Sequence, residues 1–171
     1  MSRVALANIF RFVLLYFIQV LVLRNVSLNP EGSNYIHLYI YPLFLALLPL
    51  RMAHWSLLLI GFGTGLAVDA FYGAWGLHTA ASVFTGYIRP YLVRIFEPTN
   101  GYTAKGKVGF NALGMGWYVR YTGALLLLHL LFYFSVEAFS IYYLSEILIR
   151  TVLSFAVSMV LVVMYKLIAD P

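Results

Sequence analysis

Cysteine is absent from the 171-residue chain, and charge is nearly so, at 10% of residues. The first absence removes disulfides, thiolate metal sites and cysteine nucleophiles. The second removes water as the solvent. A soluble domain carries about a quarter of its residues as charges, and a chain this poor in them has nothing with which to clothe a wet surface. Basic runs with interleaved aromatics are missing too, so the net charge of +5 points to membrane orientation and not to nucleic acid. None of the four histidines (His37, His54, His78, His129) lies one helical turn from another histidine or an acid, as a helix-borne metal site requires. No metal, and no cofactor, is expected. A nucleophile elbow, a phosphate-binding glycine loop and the paired acids of an intramembrane hydrolase are all lacking; Gly63-Thr64-Gly65 is too short and too apolar in context to cradle a phosphate. Nothing makes a positive case for an enzyme.

What fills the chain instead is apolar: 63% of residues, with a mean hydropathy of +0.87. A bilayer core needs about 20 apolar residues per helix, which gives an all-α polytopic membrane protein, a single integral membrane domain over residues 1–171. The apolar runs predict about six transmembrane helices, at residues 4–23, 35–50, 55–72, 77–93, 119–136 and 143–167. The second is short, with Pro42 and Pro49 near its ends; a re-entrant segment there leaves five crossings. The first is too long for a signal-peptide core and lacks a small-x-small site before Arg24, so it is expected to be retained. Polar residues 25–34 form the first outer loop, where Asn25-Val26-Ser27 matches a short and weak glycosylation sequon. Residues 94–118, with Lys105 and Lys107, form the longest polar loop.

Charge tests this map. With the N-terminus inside, the inner segments hold Arg3, Arg51, Arg89, Arg94, Lys105, Lys107, Arg120 and Lys166, and the outer loops hold Arg24 alone. Arg11 and Arg150 lie within spans. That bias is the positive-inside pattern, and it puts both termini and the 94–118 loop in the cytoplasm. Interfacial aromatics agree: Tyr35, Tyr72, Trp75, Tyr142 and Tyr143 at the outer boundary, Trp55, Tyr91, Trp117, Tyr118 and Tyr165 at the inner one.

The third span carries the most information. Gly61, Gly65, Asp69 and Gly73 recur every four residues, along one stripe of a helix. Gly61 and Gly65 make a small-xxx-small face on which a second backbone packs closely. Asp69, on the same stripe, faces protein and not lipid. It reads either as a polar tie within a packing seam or as a contact to a partner subunit or solute, since ionisable groups in spans are costly. Arg150, in the outer half of the sixth span, is one ion-pair partner for Asp69, and Arg24 is another; Arg150 also has Glu146 one turn earlier on its own helix. Arg11 reaches the inner headgroups by snorkelling. Gln19 and His129 read as helix–helix ties, with a proton relay through His129 left open, and His78 follows Asp69 across the outer turn.

The stretch from Gly61 through Gly65-Leu66-Ala67-Val68-Asp69, Gly73 and Gly76 to Ala80 resembles the rod shape-determining MreD family. In that family a Gly-Leu-x-x-Asp helix runs into a small-residue turn and a further helix. The opening of the chain and Arg89-Pro90-Tyr91 resemble the family's Bacteroidetes branch. The likeness is best over residues 1–95, and beyond them hydropathy alone carries it. It implies a non-enzymatic subunit of the cell-wall elongation machinery in the bacterial inner membrane, with a topology like the substrate-binding subunits of energy-coupling-factor transporters. The implied partners are the single-span protein MreC, MreB, RodA and its transpeptidase, within the lipid bilayer. Gly61, Gly65, Asp69, Gly73 and Gly76 are then candidates for helix packing or partner contact.

The alternative is a solute-binding subunit of an energy-coupling-factor-type transporter. It needs several polar groups converging on an outer pocket, where the sequence offers Asn25, Asn29, Glu31, Asn34, His78 and Glu137. A third reading, a lipid-modifying intramembrane enzyme, lacks paired acids or a His–Asp constellation at one depth.

Overall fold

The computed structural model describes residues 3–26, 35–99, 101–102 and 113–169, all helical or irregular, with no strand among them. Helix α1 (Arg3–Phe17) continues through a π turn (Ile18–Val22) and a 3-10 turn to Asn25. Then come α2 (Pro42–Leu47), α3 (His54–Tyr72), α4 (Leu77–Ile95), α5 (Met115–Ala138) and α6 (Leu144–Ala169). Among the described residues, four helical stretches are long and apolar enough to cross a membrane: Leu6–Asn25, His54–Tyr72, Met115–Ala138 and Leu144–Ile168.

The bundle is dressed for lipid. Large apolar side chains stand exposed on its outside, among them Phe10, Trp55, Leu59, Phe62, Val152 and Ile168, while Gln19, Asp69, His78, Ser82, Thr85, Arg89, His129, Ser154 and Ser158 are buried. A water-soluble protein is arranged the other way. In hydrocarbon this is the stable arrangement, because polar groups facing lipid find no partner.

Helices α3 and α4 are of equal length, 19 residues each, and form an antiparallel hairpin with backbone-to-backbone packing. A Cβ added to Gly61 would meet the Ser82 carbonyl at 2.6 Å, one on Gly65 the His78 carbonyl at 2.5 Å, and one on Gly86 the Leu57 carbonyl at 2.7 Å. The connection depends on two residues in left-handed conformations, Gly73 (φ 68°) closing α3 and Gly76 (φ 99°) opening α4, which only glycine adopts freely. Buried polar side chains lower the hydropathy of α4 and set it apart from the four apolar stretches above.

Residues 35–50 are not one helix. Residues 35–40 are non-helical, Tyr41 turns, and α2 spans only six residues. Proline marks the break: Pro42 has no amide to bond back into a preceding helical turn, and it sits at the first position of α2, where that donor is not needed. The non-helical segment runs through the bundle, where its peptide groups need partners, and side chains supply them. Gln19 Nε2 donates to the Leu38 carbonyl at 2.9 Å, and Gln19 Oε1 accepts from the Ile40 amide at 2.9 Å. On the other side Ser154 Oγ accepts from the His37 amide and Ser158 Oγ from the Tyr39 amide, each at 2.9 Å. The spacing matches: four residues of helix rise about 6.0 Å, and two residues of extended chain about 6.6 Å.

The predicted loop 94–118 begins and ends inside helices, since α4 runs to Ile95 and α5 starts at Met115. Residue 100 and residues 103–112, with Lys105 and Lys107, lie outside the described residues, as do residues 27–34 of the first predicted loop and the Ser27 of its sequon.

Candidate functional site

A helix start leaves its first amides without intrahelical acceptors. The start of α4 meets the Asp69 carboxylate, carried over from the end of α3. Asp69 Oδ1 accepts from the His78 amide at 3.0 Å. Oδ2 accepts from the Gly76 amide at 2.9 Å, the Thr79 amide at 3.0 Å and the Thr79 hydroxyl at 2.6 Å. Four donors and the positive end of the helix dipole thus stabilise a fully buried carboxylate, which in turn locks the hairpin.

Beneath this cradle lies a buried chain of side chains. Tyr41 is its hub, 2.8 Å from His129 Nε2 and 3.2 Å from His78 Nδ1, and His129 Nδ1 lies 2.7 Å from Thr85 Oγ1. One proton assignment satisfies all three contacts. The Thr85 hydroxyl donates to the Ala81 carbonyl at 2.8 Å and accepts from His129 Nδ1–H. His129 Nε2 is then bare in the neutral ring and accepts from the Tyr41 hydroxyl, which accepts from His78 Nδ1–H. His78 Nε2 is left as a buried lone pair, and Ser82 Oγ, one turn along α4, is also without a partner. Tyr39, Tyr72 and Tyr133 pack their rings around His78, with centroids 4.7–5.6 Å away.

At the opposite end of α4 the fully buried Arg89 caps the C-terminus of α2. Its Nη2 donates to the carbonyls of Leu48, Pro49 (3.2 Å) and Ala46 (3.5 Å), and the Tyr121 hydroxyl shares the Ala46 carbonyl at 3.2 Å. Arg89 Nε and Nη1 have no hydrogen-bond partner. Nearby, burial, reinforced by the Glu97 carboxylate, pushes the Tyr102 phenol up to about 12; it remains a neutral donor, bonded to the Val93 carbonyl.

The residues singled out from the sequence fall into separate places. Gly61 and Gly65 line the α3–α4 contact, and Gly73 and Gly76 make the turn. Asp69 and Arg150 are not brought together: Arg150 pairs with Glu137 at 2.8 Å and lies 3.7 Å from Glu146 on its own helix. Arg24 stands over the Tyr72 ring, 5.8 Å from its centroid. Gln19 does tie helices together, reaching the Tyr72 hydroxyl at 2.6 Å, in addition to holding residues 38–40. His78 meets Asp69 through its backbone amide, and its ring turns to Tyr41. Sequence reasoning missed Tyr41, Thr85 and Arg89. The signal was present in α4, where His78, Ser82, Thr85 and Arg89 recur at intervals of four, three and four and mark a buried polar stripe. Among the described residues no group of three or more acids and histidines converges as a metal site.

No family model, no curated protein and no solved structure matches the chain.

Proposed function

We propose that the chain is a non-enzymatic membrane subunit of the bacterial cell-wall elongation machinery. In this reading it is an MreD-like scaffold in the inner membrane, with both termini cytoplasmic, that binds an MreC-like single-span protein and is associated with MreB, RodA and its transpeptidase partner. The observation that carries the reading is the use made of Asp69. Its four hydrogen bonds all go to the start of α4. The stretch that resembles the family is therefore a locked hairpin with a lipid-facing exterior, and not an open site around an acid. A hairpin held rigid in this way, with its small-residue seam filled from within, presents fixed outer faces against which other helices can pack.

A second reading, the solute-binding subunit of an energy-coupling-factor-type transporter, draws on a cavity of about 300 Å³ lined by Glu137, Tyr143, Glu146 and Arg150. Polar groups converge there as a solute site requires.

Affinity purification of the tagged full-length protein from native membranes in mild detergent separates the two. Recovery of an MreC-like protein or the wall-synthesis enzymes is the expected result. Recovery of a transporter ATPase pair with its coupling subunit overturns it in favour of the second.

A further inference from the structure

Two cavities meet at Arg51. One is a groove of about 610 Å³ between α1 and α3, floored by α2, with Ile9, Phe12, Phe44 and Ile60 on its walls. Gly63 leaves one wall bare, since a Cβ there meets nothing within 4 Å. The other, about 400 Å³, is lined by Arg51 and Arg94 together with Glu97 and Tyr102. Arg51 lines both, so an apolar slot in the side of the bundle opens at one end onto a pair of guanidinium groups. Behind the junction Arg89 adds a third, binding the carbonyls of Leu48 and Pro49, residues that themselves line the groove. The ion pairs of Arg150 with Glu137 and Glu146 lie at the other end of the bundle. Against these three cations the described residues at this end set one acid, Glu97.

Size and charge select the occupant. A 20-residue helix is a cylinder about 30 Å long and 10 Å across, some 2,400 Å³, several times the groove. An acyl chain is of the right girth. A wholly apolar ligand would have no use for the arginines at the end, whereas a phosphate matches their bidentate donors. We propose that the two cavities together hold one anionic phospholipid, with an acyl chain in the α1–α3 groove and its phosphate on Arg51 and Arg94. The site stands independently of the scaffold reading.

The test uses full-length protein delipidated in mild detergent and titrated with phosphatidylglycerol or phosphatidylcholine of identical acyl chains, with bound lipid counted by native mass spectrometry. The first phosphatidylglycerol is expected to bind about tenfold tighter than phosphatidylcholine. The double variant Arg51→Ala/Arg94→Ala abolishes that preference while still binding both lipids. Gly63→Leu, which fills the groove, weakens both lipids about fivefold and keeps the preference. Should Gly63→Leu lower the thermal transition, Ile60→Trp from the same wall replaces it. Equal binding of the two lipids by the unaltered protein, or a preference that survives the double variant, marks an annular lipid only and overturns the proposal. Displacement by glycerol phosphate alone, with groove-filling variants unaffected, also overturns it by reducing the site to a headgroup pocket.

Discussion

Asp69 carries a charge into the bundle and is repaid there by three amides and a hydroxyl. Asp69→Ala leaves all four donors without an acceptor, at about 1 kcal/mol or more for each. It is expected to lower the thermal transition in detergent, followed by tryptophan fluorescence, well below that of Asp69→Asn, which keeps one acceptor oxygen. Equal transitions for the three proteins would remove the capping role. Tyr41→Phe strands His78 Nδ1 and His129 Nε2 together and is expected to cost about 1–3 kcal/mol by the same measurement, although it deletes a single oxygen. Of these residues the sequence made Asp69 legible, since an acid in an apolar run demands a reason. The partners of Asp69 were not legible, because backbone amides carry no letter in a sequence. Tyr41 was hidden differently: its hydroxyl joins histidines 37 and 88 positions away, a separation that no local pattern encodes.

Between elements, the α3–α4 contact brings backbone against backbone at Gly61, Gly65 and Gly86. Gly65→Ala drives a methyl into the His78 carbonyl and is expected to shift the hairpin and depress the thermal transition. Gly63→Ala, one turn face away, meets nothing within 4 Å and should leave it unchanged or raised. The small-xxx-small spacing of Gly61 and Gly65 exposed this seam before any coordinates; the matching Ser82-xxx-Gly86 pair on the opposing helix was not singled out, although both of its residues lie in the contact. The segment before α2 misled for a physical reason. Its hydropathy is that of a span, but Tyr35, His37, Tyr39 and Tyr41 alternate with Ile36, Leu38 and Ile40, the period of extended chain and not of helix. Apolarity reports burial; periodicity reports conformation. The pairing of this segment with α6 gives a direct test. Ser154→Ala/Ser158→Ala should accelerate hydrogen exchange at the His37 and Tyr39 amides and leave α3 amides protected. Unchanged exchange there would mean that the serines do not hold the segment.

On the scale of the whole molecule the charges are sorted by end. Arg51, Arg89 and Arg94 gather where α2 meets α3 and α4 stops, while Glu137, Glu146, Arg150 and the Asp69 cradle occupy the other end. Helical class and bilayer setting followed from composition alone; the number of crossings did not, because a buried irregular segment and a polar-striped helix both blur the length rule. The lack of native cysteine makes the orientation easy to measure. Ala53→Cys should react with a membrane-impermeant maleimide only after the cells are opened, and Ser140→Cys in intact cells. The reverse result inverts the orientation, and labelling of both from one side refutes the antiparallel arrangement. The threaded segment of residues 35–41 also bears on how the protein is made. Its polar backbone is covered from one side by residue 19 and from the other by residues 154 and 158, so both sides are covered only when α6 has left the ribosome. Until then the segment has no home in hydrocarbon and must wait at the aqueous surface or in the insertion machinery. A chain stopped ahead of α6 is thus an unfinished product open to quality-control proteolysis, and biogenesis of this protein turns on the arrival of α6.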